Sequence, residues 1–98
     1  MPVARLTLEI SIALAQSLKD RRQVVRSIKD KLRRGFNVSV AEMDEALVWN
    51  RATLGIAGIS NSTEYLIGQM REVEEASTRL AVGLGAEIIE SYVELLTE

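Results

Sequence analysis

Neither cysteine nor histidine occurs anywhere in this chain of 98 residues. Without thiols there is no disulfide, no thiolate nucleophile and no cysteine-based zinc site, a composition that suits a reducing cytosol. Without imidazole there is no histidine general base, no Ser-His-Asp triad and no histidine-ligated metal. Aromatic residues are scarce as well. Phe36, Trp49, Tyr65 and Tyr92 make up 4% of the chain, so the core must be mostly aliphatic. Long apolar runs are missing: none approaches the roughly 20 residues that cross a bilayer. Met1-Pro2-Val3-Ala4-Arg5 is not the basic start of a secretion signal. The expectation is a soluble cytoplasmic protein with no membrane attachment, forming one domain over residues 1–98.

What the chain does have is enough apolar content for a core, 47% of its residues, and an uneven distribution of charge. Eight of its twelve Lys and Arg residues fall between Lys19 and Arg34, opposed only by Asp20 and Asp30, which leaves +6 there. Elsewhere four cations face twelve carboxylates, leaving −8 and an overall charge of −2. A basic concentration of this kind draws phosphates or acidic protein surfaces.

The hydrophobic pattern alternates between two periods. Leu6, Leu8, Ile10, Ile12 and Leu14 alternate with Thr7, Glu9, Ser11 and Ala13, which predicts a strand buried on one side. Ser17-Leu18-Lys19-Asp20 reads as a helix N-cap with an acid at the third helical position. Leu18, Val25, Ile28 and Leu32 then form an apolar stripe at helical spacing, and Gly35 offers a left-handed stop. Phe36 to Met43 returns to β character, with Val38 and Val40 opposite Ser39, Ala41 and Met43. Asp44 to Ala52 reads as a loop or distorted extension. Thr53 to Ser60 is a second apolar strand whose Gly55 and Gly58 point to close packing or a bulge. A second capping box at Asn61 to Glu64 opens a helix with Leu66, Met70, Val73, Ser77 and Leu80 facing inward, ending near Gly83 and Gly85. Ala86 to Leu96 alternates once more, with Ile89, Val93 and Leu95 opposite Ile88, Glu90, Tyr92 and Glu94. The order β-α-β-β-α-β predicts an α+β, ferredoxin-like two-layer sandwich. Two helices cover one face of a four-stranded antiparallel sheet and leave the other face open.

Ser17 to Asp44 (SLKDRRQVVRSIKDKLRRGFNVSVAEMD) and Trp49 to Asn61 (WNRATLGIAGISN) resemble the YlxP-like family, a bacterial domain of unknown function. The resemblance covers nearly the whole chain at about constant spacing. It implies a ferredoxin-like fold. It also implies a genomic neighbourhood among translation and ribosome-maturation genes, with no established activity and no catalytic residues to carry over. Two departures stand out. Glu45 occupies a place where members often have histidine, so no role resting on that histidine applies here. Ala13-Leu14-Ala15-Gln16 lacks the proline that members tend to carry between the first strand and first helix.

Four groups of residues are candidates for function. Arg22, Arg26, Lys29 and Arg33, spaced four, three and four apart, line up as one exposed helical ridge, with Lys19 at its N-terminal end and Arg21, Lys31 and Arg34 flanking. Phosphate contact by such a ridge gives salt-sensitive, sequence-independent binding. The alternative is a solvated face, although structural faces usually mix signs for i to i+4 pairs. Trp49 and Arg51 either anchor a partner or close one end of the core, with Arg51 pairing to Glu42 or Asp44. Glu42, Asp44 and Glu45 form an acidic cluster that is a weak metal or acid–base pattern. Met43 and Tyr92 are apolar residues of the open sheet face, where a second copy of the chain would close it. Base stacking on the sheet is disfavoured, because Leu6–Leu14 and Thr53–Ser60 contain no aromatic residue. Gly55-Ile56-Ala57-Gly58 lies in an apolar strand and is discarded as a phosphate-clamping turn.

The leading expectation is a binding module without enzymatic activity or cofactor, whose basic helix meets RNA or a ribosomal surface. The alternative is a structural or regulatory homodimer that binds a protein or small metabolite on its open sheet face.

Overall fold

Strand β1 (Val3–Ser11) owes its place to its alternation: Ala4, Leu6, Leu8 and Ile10 are buried, and Ile12 continues the row. The computed structural model describes residues 1–44 and 47–96. The alternation outlasts the strand, so Leu14 falls in the following turn and is 79% exposed rather than inside. Helix α1 (Leu18–Gly35) starts as expected. The Asp20 N–H donates to Ser17 Oγ at 3.2 Å, and the Gln16 N–H donates to Asp20 Oδ2 at 3.0 Å. Asp20 thus forms a variant of the capping box, reaching the N–H one residue before the cap, at the positive end of the helix dipole.

The buried stripe of α1 is Arg21, Val25, Ile28 and Leu32. Leu18, expected in that stripe, is exposed, and a guanidinium takes the inward position instead. Nor does the helix end in a left-handed glycine. Gly35 is its last helical residue, and Phe36 follows in extended conformation with its N–H on the Leu32 carbonyl.

Strand β2 (Ser39–Glu42) is shorter than the pattern of Phe36 to Met43 predicts, and β3 (Arg51–Ile59) begins two residues before Thr53. Arg51 and Ala52 join the sheet because Ser11 and Ile10 lie opposite them. Helix α2 (Thr63–Gly83) is capped by Ser62, whose side chain accepts from the Tyr65 N–H. It ends in a Schellman motif: Gly85 has φ +75°, the Ala86 N–H reaches the Ala81 carbonyl, and the Gly85 N–H reaches that of Val82. Strand β4 (Glu87–Leu96) completes the sheet.

The strand order is β2-β3-β1-β4, antiparallel throughout. α1 packs over β2 and β3, α2 packs over β1 and β4, and the helices touch each other. This is the ferredoxin-like sandwich. A Cβ at Gly58 would stand 2.7 Å from Gln69 Oε1 and 3.0 Å from Met70 Cε, so a glycine there lets α2 lie close on the sheet. A register shift in the β1–β4 ladder at Glu9/Ile10 pairs Ile88 with Ile10. Ile88 therefore packs against the core and not on the open face where strict alternation puts it.

Ile28, fully buried between Val25 and Leu32, is a direct check on this arrangement. Ile28→Ala should cost about 2–5 kcal/mol through lost burial and the cavity left behind, measured by urea unfolding. A variant as stable as the parent chain would mean that α1 is rotated from the face described.

Candidate functional site

The basic helix divides its cations between two tasks. Arg21 turns inward and is 3% exposed. Its Nε donates to the Arg51 carbonyl at 3.0 Å, one terminal nitrogen meets Glu42 Oε1, and the other meets Asp44 Oδ2 at 3.0 Å. The Asp44 carboxylate also accepts the Thr53 N–H at 2.9 Å, ending β2 while holding β3. The planar fork of arginine suits this, since it presents several donors in fixed directions.

On the outer side of α1, Arg22, Arg26, Lys29 and Arg33 follow one ridge, and with Val25 and Arg21 beneath them they line a shallow groove of about 400 Å³. Leu18, Asp30, Glu42 and Leu47 complete its lining, so two carboxylates share the groove with the cations. Arg33 is tied down by a 2.8 Å bond to the Val40 carbonyl of β2, while Lys19 lines a second depression that shares Arg22 and Arg26. At 1.5 Å per residue the ridge runs about 16 Å. Among the described residues, none of Lys19, Arg22, Arg26, Lys29 and Arg33 has a carboxylate within ion-pair distance; Glu42 and Asp44 are held by Arg21, and Asp30, which also lines the groove, makes no ion pair. The expected ridge is therefore assembled, but Arg21 does not flank it.

The second constellation differs from expectation. Trp49 does not close the core. It is 53% exposed, at the tip of a turn held by the Val48–Arg51 bridge and by the Ile12 N–H on the Asn50 carbonyl at 2.8 Å. Arg51 pairs with neither Glu42 nor Asp44. Its guanidinium lies 3.9 Å from Glu9 Oε2, and only its carbonyl joins the Arg21 cluster. Glu45 lies outside the described residues. Glu42 and Asp44 serve Arg21, and among the described residues no group of three His, Cys, Asp or Glu could hold a metal ion.

On the open sheet face, Ala41, Gly55, Thr7 and Tyr92 form one row across all four strands. The Met43 Sδ lies 2.9 Å from where a Cβ on Gly55 would be, so the thioether rests on the glycine. Met43 and Tyr92 are each about half exposed. In the next row Arg5 bonds Glu94 at 2.6 Å, which raises the guanidinium pKa above its ordinary value, chiefly through that hydrogen bond. The Thr53 hydroxyl donates to the Glu9 carboxylate at 3.0 Å. Half of this face is thus polar and internally paired, and half is apolar and uncovered.

Sequence reasoning missed Arg21 as an organising residue. The signal was present: it stands four before Val25 and seven before Ile28, a stripe position held by a cation. Replacing it with alanine leaves Glu42 and Asp44 beside a cavity. Because those carboxylates are partly exposed, the expected loss is about 2–3 kcal/mol, below the 3–5 kcal/mol of a fully buried pair. Arg21→Lys should recover little, since one ammonium cannot reach all three acceptors. Thermal unfolding of both variants measures this, and a lysine variant as stable as the parent chain would contradict it.

Comparison with known proteins places this geometry in context. The chain is 40% identical over 48 residues to the uncharacterized protein YlxP of Bacillus subtilis, a stretch that spans 49% of this chain and 52% of YlxP. Among solved structures, a de novo designed protein with a ferredoxin fold superposes with a TM-score of 0.56 at 16% identity, covering the whole of this chain and 88% of the design. A hydantoinase/carbamoylase family amidase from Burkholderia ambifaria gives 0.65 at 10% identity, covering 98% of this chain but 28% of the amidase. At such identities these likenesses concern the fold alone. No described helix is long and apolar enough to cross a membrane. The model of the family described as a protein of unknown function, DUF503, matches residues 3–91, and this chain, with its YlxP-like sequence, belongs to that family.

Proposed function

We propose that this protein is a non-enzymatic, cytoplasmic binding module that holds RNA, free or on a ribosomal surface, along the outer groove of α1. One observation carries the reading: four cations line one groove, and none of them makes an ion pair among the described residues, although Asp30 and Glu42 line the groove as well. Such a face costs stability through like-charge repulsion unless a partner supplies the opposite charge. Phosphates do so at every nucleotide and release counterions as they bind. The translation-gene neighbourhood that the YlxP-like resemblance implies agrees with this.

The test is binding of a labelled RNA at several salt concentrations. With about four phosphates contacted, the logarithm of affinity should fall with the logarithm of salt at a slope near −3, since each single-strand contact contributes about −0.7. The triple change Arg22→Glu, Arg26→Glu, Lys29→Glu should abolish binding and leave the circular dichroism unchanged. Absence of binding near 50 mM salt, or indifference to the triple change, would remove the RNA reading.

A second reading has its own observation. Met43 rests on Gly55 of the row that ends in Tyr92, and Ile59 of β3 and Leu96 of β4 are exposed farther along the face, where each pairs with Val3. Closure by a second copy would bury these groups in a homodimer. The combined change Met43→Lys and Tyr92→Lys should then turn a dimer into a folded monomer in light scattering, because it sets charges where water is excluded. A parent chain that is monomeric at high micromolar concentration would end this reading.

A further inference from the structure

The groove of α1 does not stop at its cations. Leu18 and Leu47 line both the basic groove and a second depression of about 460 Å³ formed with Val48, Trp49 and Asn50. The one tryptophan of the chain is therefore continuous with the phosphate-seeking ridge. Its backbone is held at Val48–Arg51 and at Asn50, yet its indole is half exposed. A pinned backbone that presents an uncovered aromatic side chain is a stacking platform, and every nucleobase has a π face that such a platform accepts.

We propose that the partner of this groove is single-stranded RNA, with phosphates on Arg22, Arg26 and Lys29 and one unpaired base stacked on Trp49. The inference rests on the RNA reading above and narrows it. In a duplex the bases are already stacked on one another, so the protein meets phosphates, 2′-hydroxyls and groove edges but no free base face, and Trp49 goes unused. An acidic peptide would satisfy the cations but has no need of an exposed indole beside them. The sheet itself offers no alternative platform on its central strands, since β1 and β3 carry no aromatic residue.

Because Trp49 is the sole tryptophan, its emission reports this contact alone. The full chain is titrated with a twelve-nucleotide oligouridylate, the corresponding RNA duplex, single-stranded DNA of the same length, and polyglutamate. Affinity is read in parallel by anisotropy of the labelled strand. The expected result is quenching by the single-stranded RNA with the same midpoint as the anisotropy. Trp49→Ala should weaken single-strand binding by about 5- to 150-fold, the range measured for loss of one stacked base. It should leave duplex binding unchanged, and Trp49→Phe should retain most of the affinity. RNA binding with silent tryptophan emission, or an equal loss for strand and duplex, would overturn the stacking proposal while leaving the RNA reading in place. Binding of the DNA strand but not the RNA strand would overturn both, as would binding of polyglutamate alone or of none of the probes.

Discussion

A guanidinium at a core-facing position of a helix has to find acceptors, and much of this molecule follows from how Arg21 finds them. It reaches across from α1 to Glu42 at the end of β2, to Asp44 just beyond it, and to the carbonyl of Arg51 at the start of β3. These acceptors lie on both sides of the β2–β3 connection. One side chain therefore ties the helix to the two strands and to both ends of the segment between them. A buried ion pair of this kind is close to energetic break-even against an apolar replacement, whereas removing one partner alone is costly.

The same contact shapes the electrostatics of the surface. By engaging Glu42 and Asp44, Arg21 keeps both carboxylates out of ion pairs with the outer ridge, although one guanidinium offsets only one of their two charges. Neighbouring cations along that ridge, Lys19 with Arg22, Arg22 with Arg26, Arg26 with Lys29 and Lys29 with Arg33, repel one another by a few tenths of a kcal/mol each, or about 1–2 kcal/mol together. Burial of Val25, Ile28 and Leu32 on the opposite side contributes about 5–9 kcal/mol. The helix can therefore carry an unbalanced charged face without endangering its packing. A face that the fold tolerates but does not need is where a partner's charge has the most to offer.

The two sheet faces divide the remaining work. The covered face holds the aliphatic core, closed at one end by the approach of α2 to Gly58. The open face is half polar, with Arg5 on Glu94 and Thr53 on Glu9, and half apolar around Met43 and Tyr92. Because the polar half is satisfied within the sheet, its groups are poor candidates for recognition. The apolar half is, with the Leu47–Trp49 segment, a region outside α1 where association would remove apolar surface from water.

Local pattern determined the element order, the Ser17 cap of α1, the buried residues Val25, Ile28 and Leu32, and the alignment of Arg22, Arg26, Lys29 and Arg33, while the cap of α2 falls on Ser62, one residue after Asn61. These depend on spacings within a single element, which local backbone geometry sets. Four features needed the assembled structure. Leu14 and Leu18 carry the right residue type for a core, but the strand and helix bring no neighbours to cover them. Ile88 changed faces because a bulge in the β1–β4 ladder shifted its register, and a register belongs to two strands rather than one. Arg21 moved from flank to core because its acceptors come from residues 21 to 30 positions away. Trp49 came to lie beside the basic groove for a related reason. The turn that carries it is held by Asn50 to the end of β1 and by the bridge to Arg51, and no spacing along the chain encodes a contact made between separate elements.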